Sequence, residues 1–234
     1  MENPTVLIVD DDREIARAIK TLLQHEQIES VCAYDGMEAL ETLNLYGSIR
    51  LIILDIMMPR LDGMSATLKI RERRNLPIIM LSAKSEDSDK ILGLSMGADD
   101  YVTKPFNPPE LVARVKSQLR RYLHLGDANS AVSSKTVSSG ELCLDTEAKR
   151  FTVGGEEVRL TATEYKIVEL LLTNAGRIFS AEEIYSKVWN ETAFGVENTV
   201  MVHIRRIREK IEINPKEPKY LKVVWGIGYK IEKY

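Results

Sequence analysis

The chain has 234 residues, of which 44% are hydrophobic and 29% are charged, and its net charge is −3. This composition is typical of a globular protein with one or two domains, and it excludes a disordered, collagen-like or disulfide-stabilised mini-protein. No apolar run is long enough to span a membrane, and the first residues do not resemble a secretion signal. Cys32 and Cys143 lack metal-ligand spacing and are typical of buried thiols in a reducing compartment. We therefore expect a soluble, cytoplasmic protein with no membrane partner.

The first half of the chain alternates short apolar runs with helical patterns. Between the runs, apolar residues recur at helical spacing, as at Ile15, Ile19 and Leu22. Strict alternation of strand and helix predicts an α/β domain over residues 1–124, with a doubly wound, five-stranded parallel (βα)5 sheet. The apolar runs lie at residues 6–9, 30–33, 51–54, 78–81 and 101–102.

A change of composition separates this domain from the rest of the chain. Residues 126–140 contain five serines and no apolar periodicity, which indicates a flexible linker over residues 125–138. The remaining residues, 139–234, predict a winged helix-turn-helix domain with an N-terminal antiparallel sheet. Its predicted elements are strands at 141–145, 150–153 and 158–160, helices beginning at capping boxes 161–164 and 180–183, a helix from about 198 to 212, and a hairpin at 220–232.

Polar side chains stand where four of the five predicted strands end. Because the carboxyl ends of parallel strands share one edge of the sheet, we expect these side chains to meet there. Carboxylates packed this closely repel one another unless a cation neutralises them, and Mg²⁺ prefers such oxygen ligands. Each aspartate alone is more typical of a helix cap, but the whole set predicts a phosphoryl-transfer site with a carboxylate nucleophile. The set is Asp10, Asp11 and Asp12 after the first strand, Asp55 after the third, Ser82 after the fourth and Lys104 after the fifth.

Several motifs in this half resemble those of a CheY-type receiver domain. They lie at residues 9–12, 54–59 with 62–63, 81–83 and 99–106. Together with the C-terminal half, the sequence resembles the OmpR/PhoB family of response regulators over nearly its whole length. Residues 114–122 and 218–231 look closest to VanR-like regulators. The resemblance implies that Asp55 receives a phosphoryl group from the phosphohistidine of a sensor histidine kinase.

The resemblance also implies a role for each residue around Asp55. Ser82 and Lys104 would bind the phosphoryl oxygens, and Tyr101 would turn inward as Ser82 moves. Asp12 is assigned to the start of a helix, and the peptide bond between Lys104 and Pro105 is predicted to be cis. The implied Mg²⁺ ligands are Asp10, Asp11, Asp55 and the backbone carbonyl of Met57.

Phosphorylation is further expected to pair two receivers into a homodimer. Three complementary charge pairs on one face favour a symmetric interface, although a single exposed pair contributes little. The pairs implied by the resemblance are Lys90 with Glu110, Asp100 with Arg114, and Asp99 with Arg121.

The third helix of the second domain is the candidate DNA-reading element. Residues 199–234 contain nine basic and four acidic side chains, which favours a nucleic-acid face, with a solvated surface as the alternative. We expect Val200, Ile204, Ile207 and Ile211 to face inward, and His203, Arg205, Arg206, Arg208 and Lys210 to face outward. By resemblance, Arg206 reads a base and Val202 lies near thymine methyls. The expected phosphate or positioning contacts are Thr199, His203, Arg205, Arg208, Lys222 and Lys230.

Trp225 stands where many family members carry an arginine in the hairpin, and we expect it to pack under the wing. The expected partner is double-stranded DNA with a direct-repeat or two-half-site operator, and residues 190–197 are a candidate contact for RNA polymerase.

The resulting hypothesis is a phosphorylation-switched transcription factor, not an enzyme, whose targets include cell-envelope or glycopeptide-resistance genes. One alternative is a DNA-binding regulator that does not depend on phosphorylation. The other is an aspartyl-phosphate phosphatase, which is disfavoured because Met57 stands where the haloacid dehalogenase signature needs an acid.

Overall fold

The computed structural model describes residues 5–83, 93–94, 96–126, 136–189 and 197–234. The chain forms two compact units, Met1–Tyr122 and Leu123–Tyr234, and each is described by itself. Within the described residues, no helix combines the length and the apolar character needed to cross a membrane.

The first unit is a parallel five-stranded sheet with flanking helices, as the alternating pattern predicts. The sheet order is β2-β1-β3-β4-β5. The predicted helix between β4 and β5 falls mainly on residues 84–92, which lie outside the described part of the chain. The elements are β1 (Thr5–Val9), α1 (Arg13–His25), β2 (Glu29–Ala33), α2 (Gly36–Leu45), β3 (Ile49–Asp55), α3 (Gly63–Arg73), β4 (Ile78–Ser82), β5 (Asp100–Thr103) and α4 (Pro108–Gly126).

The register of this sheet positions the predicted acidic site. β1 and β4 are buried along their whole length, as expected for strands covered on both faces. β1 pairs with β3 so that Val9 lies opposite Leu54. The residue that follows Val9 is Asp10 and the residue that follows Leu54 is Asp55. The two aspartates therefore leave the sheet side by side.

Aspartate caps begin the helices that follow the first three strands of the chain. The Asp12 side chain accepts hydrogen bonds from the backbone N–H groups of Glu14 (2.8 Å) and Ile15 (3.3 Å) at the start of α1. Asp35 caps α2 and Asp62 caps α3 in the same way. The assignment of Asp12 to the helix start is confirmed, which separates it from Asp10 and Asp11.

The second unit contains an antiparallel sheet, a helical layer and a C-terminal hairpin. The sheet order is β6-β7-β8-β9, and β10 pairs with β11. Both predicted capping boxes are present, with Thr161 and Glu164 at one helix start and Ser180 and Glu183 at the next. The elements are β6 (Thr136–Ser139), β7 (Leu142–Asp145), β8 (Arg150–Val153), β9 (Glu156–Glu157), α5 (Ala162–Thr173), α6 (Ala181–Trp189), α7 (Glu197–Ile211), β10 (Leu221–Val224) and β11 (Gly228–Ile231).

Two local expectations for this unit are corrected. Residues 136–138 were expected in the linker, but they belong to β6, which pairs with β7 although it is rich in serine and threonine. A strand is expected at 158–160, but the strand in this region, β9, is shorter, lies earlier in the chain and ends at Glu157. Gly154 and Gly155 have φ values of +60° and +87°, so a tight turn starts the pairing with β8 directly at Glu156.

Candidate functional site

Three carboxylates meet at the carboxyl edge of the first unit's sheet. Oxygen atoms of Asp10, Asp11 and Asp55 all lie within 4.8 Å of one another. Asp10 is fully buried and Asp55 nearly so, whereas Asp11 is exposed. The Asp10 Oδ1 atom accepts a hydrogen bond of 3.1 Å from the backbone N–H of Asp12. The geometry therefore brings together the three side chains predicted to hold a cation.

Lys104 joins two of these carboxylates. Its Nζ atom lies 2.7 Å from Asp10 Oδ2 and 2.9 Å from Asp55 Oδ1. Burial raises the pKa of both Asp10 and Asp55, and the hydrogen bonds from Lys104 oppose that rise. Burial alone would lower the pKa of Lys104, but its two carboxylate partners outweigh this effect and raise it. The lysine is therefore held as a cation against the predicted nucleophile.

Ser82 ends β4 at the same edge and is buried. Its neighbour Leu81 is paired with Asp55, and the carbonyl of Ser82 accepts a hydrogen bond of 2.6 Å from the backbone N–H of Lys104. Met57 lies two residues after Asp55, with its side chain mostly exposed. Serine, lysine and aspartate thus share one edge of the sheet, and the peptide bond from Lys104 to Pro105 is cis, as predicted.

Gly63, the first residue of α3, contacts the backbone of Asp55. A Cβ atom at Gly63 would lie 2.0 Å from the carbonyl oxygen of Asp55. We expect Gly63→Ala to destabilise the first unit by about 1–3 kcal/mol and to slow the predicted phosphorylation of Asp55, because the Asp55 backbone must move. Scanning calorimetry and intact mass would measure the two effects. Gly47→Ala is the matched control, since a Cβ there would meet nothing within 4 Å, and a loss of equal size in both variants would contradict the steric explanation.

Tyr101 is buried on β5, opposite Met80. Its ring lies 3.6 Å from where a Cβ atom of Gly93 would be. The ring is therefore on the inside, and its predicted rotation stays a prediction.

The face predicted to pair two receivers carries ion pairs within one chain. Arg114 Nη1 donates to both carboxylate oxygens of Asp100, at 2.9 and 3.0 Å, and Arg114 Nη2 lies 3.0 Å from Glu110. Arg121 Nη1 donates to Ser117 Oγ at 3.0 Å. Lys90 lies outside the described residues. Arg114 thus already has two acidic partners in its own chain.

One residue expected on that face, Asp99, lies in the interior of the first unit instead. Its side chain is fully buried, and Asp99 Oδ2 accepts hydrogen bonds from Arg71 Nη2 (2.6 Å) and from the backbone N–H of Ile78 (3.0 Å). Arg71 also donates to the carbonyls of Gly97 (2.9 Å) and Leu76 (2.6 Å). A buried carboxylate with these partners is not presented on the surface of the first unit, and the expected pair of Asp99 with Arg121 of a second receiver stays a prediction. No pattern in the sequence indicates Arg71 as its partner.

The inward face of α7 is as predicted, but part of its outward face is not. Val200, Ile204, Ile207 and Ile211 belong to the core of the second unit. His203 is buried with its ring centroid 5.4 Å from that of Trp189, and both Val202 and Arg206 are also buried. The expectation that His203 and Arg206 face outward is therefore wrong.

Arg206 is buried because it pairs with the glutamate of the first capping box. Arg206 Nη2 lies 3.0 Å from Glu164 Oε1, and Lys210 Nζ lies 2.5 Å from Glu164 Oε2. Glu164 is fully buried, and burial would raise the pKa of its carboxyl, but the two cations outweigh burial and lower it. Sequence reasoning found Glu164 as a cap but missed this ion cluster, for which the only signal was the i, i+4 spacing of the two cations.

The other predicted DNA contacts differ in exposure. Arg205 is exposed and pairs with Glu209 on the same helix at 3.1 Å, while Thr199 is half-buried. Arg208 Nε donates to the carbonyl of Leu221 at 2.8 Å, which ties α7 to β10.

The hairpin corrects the expectation for Trp225. Lys222 and Lys230 lie directly opposite each other on β10 and β11. Trp225 is 88% exposed at the tip, so it does not pack under the wing.

Comparisons with known proteins agree with this geometry. Residues 6–116 match the response regulator receiver domain, and residues 155–231 match the C-terminal domain of transcriptional regulatory proteins. The regulatory protein VanRc of Enterococcus gallinarum is 43% identical over 228 residues, covering 97% of this chain and 98% of that relative. The transcriptional regulatory protein YcbL of Bacillus subtilis, which is uncharacterized, is 42% identical and covers 97% and 100%. The crystal structure of DrrB, an OmpR/PhoB homologue of Thermotoga maritima, is 30% identical with a TM-score of 0.50, covering 99% and 100%.

Proposed function

The chain belongs to the OmpR/PhoB family of two-component response regulators, and from that premise we propose that phosphorylation of Asp55 converts it into a DNA-binding dimer. The family consists of transcriptional regulators rather than enzymes. The observation that carries the proposal is the contact of Lys104 with both Asp10 and Asp55 at one edge of the sheet.

The chemistry is an in-line transfer to the Asp55 carboxylate. A carboxylate oxygen of Asp55 attacks phosphorus, the new P–O bond forms, and the N–P bond of the kinase phosphohistidine breaks with its electron pair returning to the imidazole nitrogen. Lys104 orients Asp55 before the transfer and binds a phosphoryl oxygen after it. Ser82, at the end of the neighbouring strand, binds a second one.

The donor set also fits a magnesium ion. Asp10, Asp11 and Asp55 present three carboxylates within 4.8 Å, two of them buried, and hard oxygen donors are the ligands that Mg²⁺ prefers. We assign these residues, with the backbone carbonyl of Met57, as its ligands. The ion would neutralise charge on the transferring group.

The added phosphoryl charge is proposed to promote receiver pairing and DNA binding in the cytoplasm. The interface charges are supplied by Asp100, Glu110 and Arg114 together with Lys90. Pairing requires Arg114 to exchange its partners within the chain for partners in the second copy.

The second unit is proposed to contact an operator of two half-sites or a direct repeat. The proposed contact residues are Thr199, Arg205, Arg208, Lys222 and Lys230.

Glycopeptide-resistance genes or cell-envelope genes are the proposed targets of regulation. The support is the similarity to VanRc. RNA polymerase is proposed to contact residues 190–197, of which residues 190–196 lie outside the described part of the chain.

The proposal is tested by measuring DNA binding with and without a phosphodonor. The full-length chain is incubated with Mg²⁺ and acetyl phosphate and titrated with duplexes selected from a random-sequence pool. We expect phosphorylation to tighten binding on the order of 100-fold, because a dimer engages two half-sites at once. Sedimentation should show the accompanying dimer.

Arg114→Glu should stay monomeric after phosphorylation. Lys116→Glu is the matched control, since Lys116 lies on the same helix and pairs with Glu26 instead. Equal DNA binding with and without the phosphodonor would favour the regulator that does not depend on phosphorylation. Catalytic release of orthophosphate with no lasting adduct would favour the phosphatase.

A further inference from the structure

We propose that the arginine pocket, a cavity of the first unit lined by Arg50, Arg73 and Arg74, binds the phosphates of a nucleotide whose base enters the adjoining groove between α2 and α3. Arg50 lies at the start of β3, whereas Asp55 ends that strand, so the pocket is at the edge of the sheet opposite the phosphorylation site. The inference therefore goes beyond the proposed function and does not depend on it.

The arginine pocket has the size of a small-molecule site. Its volume is about 570 Å³, which is within the usual range for bound ligands. Helices that follow parallel strands run back to the amino edge of the sheet, and the pocket lies where α2, α3 and α4 end around the starts of β3 and β4. The polar side chains that line it are Asn44, Arg50, Arg73, Arg74, Asn75 and Tyr122.

The chemistry of this lining favours an anion. Arginine, asparagine and tyrosine side chains can all donate hydrogen bonds. Among the described residues that line the pocket, none is acidic. Guanidinium groups match the geometry of phosphate with paired N–H donors, and a cleft lined by one sign of charge concentrates ligands of the opposite sign. A phosphate-bearing ligand is therefore the class that this pocket fits.

The charges of the pocket are not neutralised within the first unit. In the part of the chain that the structure describes, no acidic side chain forms an ion pair with Arg50, Arg73 or Arg74. Two other half-buried arginines of the same unit, Arg71 and Arg114, each pair with an aspartate. Arg50 and Arg74 are also half-buried, and a charge withdrawn from water is normally paired. An anionic ligand would supply the counter-charge.

Arg50 is held in position by neutral groups. Its Nη1 atom donates to the carbonyls of Gly47 (2.5 Å) and Ile49 (2.9 Å), which fixes the guanidinium but leaves its charge uncompensated. The carbonyl end of α3 stabilises a cation in its last turn, and this accounts for Arg73. It does not account for Arg50, which lies on β3. A cation fixed before binding loses less entropy when the ligand arrives.

The adjoining groove provides a place for the base. This second cavity has a volume of about 290 Å³ and shares Asn44, Arg73 and Arg74 with the arginine pocket. A nucleobase has apolar faces and polar edges, so it suits a groove of apolar side chains beside an amide that can both donate and accept. The other residues that line the groove are Leu40, Leu43 and Ile70, with Lys69 and Glu72.

The test is a calorimetric titration of the full-length, unphosphorylated chain with ATP, GTP, pyrophosphate and adenosine. EDTA is present so that no metal ion can bridge the phosphates to Asp10, Asp11 or Asp55. We expect ATP or GTP to bind about tenfold more tightly than pyrophosphate, because the base adds apolar contacts in the groove. Adenosine should not bind measurably, since it brings no charge to the arginines.

Arg73→Gln and Arg74→Gln should each weaken ATP or GTP binding by about tenfold or more, the scale of a lost hydrogen bond between charged groups. Arg73 is exposed, so its replacement should leave the fold intact. Arg17→Gln is the matched control, because Arg17 is an exposed arginine on α1 that does not line the pocket. This variant should bind the nucleotide like the wild type.

Nucleotide binding that persists unchanged in Arg73→Gln and Arg74→Gln would overturn the site. If duplex DNA also displaced that nucleotide, the binding would belong to the DNA-binding surface. Pyrophosphate bound as tightly as ATP and GTP would overturn the assignment to a nucleotide. Failure of both ATP and GTP to bind would overturn the proposal and leave the proposed function standing, because phosphorylation of Asp55 makes no use of this edge.

Discussion

Replacing Asp55 with asparagine should abolish phosphorylation of the protein. An amide oxygen is a much weaker nucleophile than a carboxylate oxygen, and the substitution also removes one of the two carboxylates that Lys104 contacts. The side chains have nearly the same size, so the fold should persist. Intact mass after incubation with Mg²⁺ and acetyl phosphate should show one added phosphoryl group in the wild type and none in Asp55→Asn.

Asp12→Asn is the matched control for this experiment. Asp12 belongs to the same run of aspartates but caps α1, and asparagine is an equally good cap. The control should therefore be phosphorylated like the wild type. An adduct of equal extent in Asp55→Asn would assign the nucleophile to another residue, and no adduct in the wild type would favour the regulator that does not depend on phosphorylation.

Glu164→Gln should strongly destabilise the second unit while leaving side-chain volume intact. The substitution leaves Arg206, which is nearly buried, and Lys210 without their shared anion. Removing one partner from a buried ion pair costs about 3–5 kcal/mol of unfolding free energy. Urea unfolding followed by the fluorescence of Trp189 reports the unit in which the change is made.

Glu209→Gln provides the comparison for an exposed ion pair. Glu209 pairs with Arg205 on the surface of α7, and we expect the loss to stay below about 1 kcal/mol. Equal losses in the two variants would contradict the buried ion cluster as the source of stability.

The contribution of Glu164 should also depend on pH in a defined direction. Burial opposes the charged form of Glu164, but Arg206 and Lys210 outweigh burial and hold its pKa below the ordinary value of 4.5. The unfolded state therefore binds the proton more readily than the folded state, and the stabilisation is fully present above that ordinary value. It is lost as the pH falls through the lower pKa of the folded protein. The difference in stability between the wild type and Glu164→Gln should shrink below pH 4.5 and stay constant from there to neutral pH.

The parallel sheet and its acidic edge follow from local signals in the sequence. Apolar runs mark the strands, and the residues after them reach one edge because parallel strands all end there. This reasoning is sufficient to bring together Asp10, Asp55 and Lys104, which are far apart along the chain.

The partners of the charged residues on the helices do not follow from such signals. Helical periodicity distinguishes apolar from polar positions, but it does not show which polar position packs against another element. Arg206 has the same spacing as a solvent-facing arginine, and only the packing of α5 against α7 places Glu164 beside it. The same limit applies to Asp99, which lies in the loop before β5 and whose partner Arg71 lies on α3.

The hydrogen bonds of Arg71 have a consequence for how the first unit opens. One guanidinium joins the end of α3, the entry to β4 at Leu76 and the loop at Gly97 and Asp99. Segments tied by one shared group separate only when all of its bonds break, so they form one cooperative unit in local unfolding. We therefore expect amide hydrogens along these three segments to exchange with solvent in a single event, and β5, which begins at Asp100, to stay attached to β4, the strand that carries Ser82, until that event occurs.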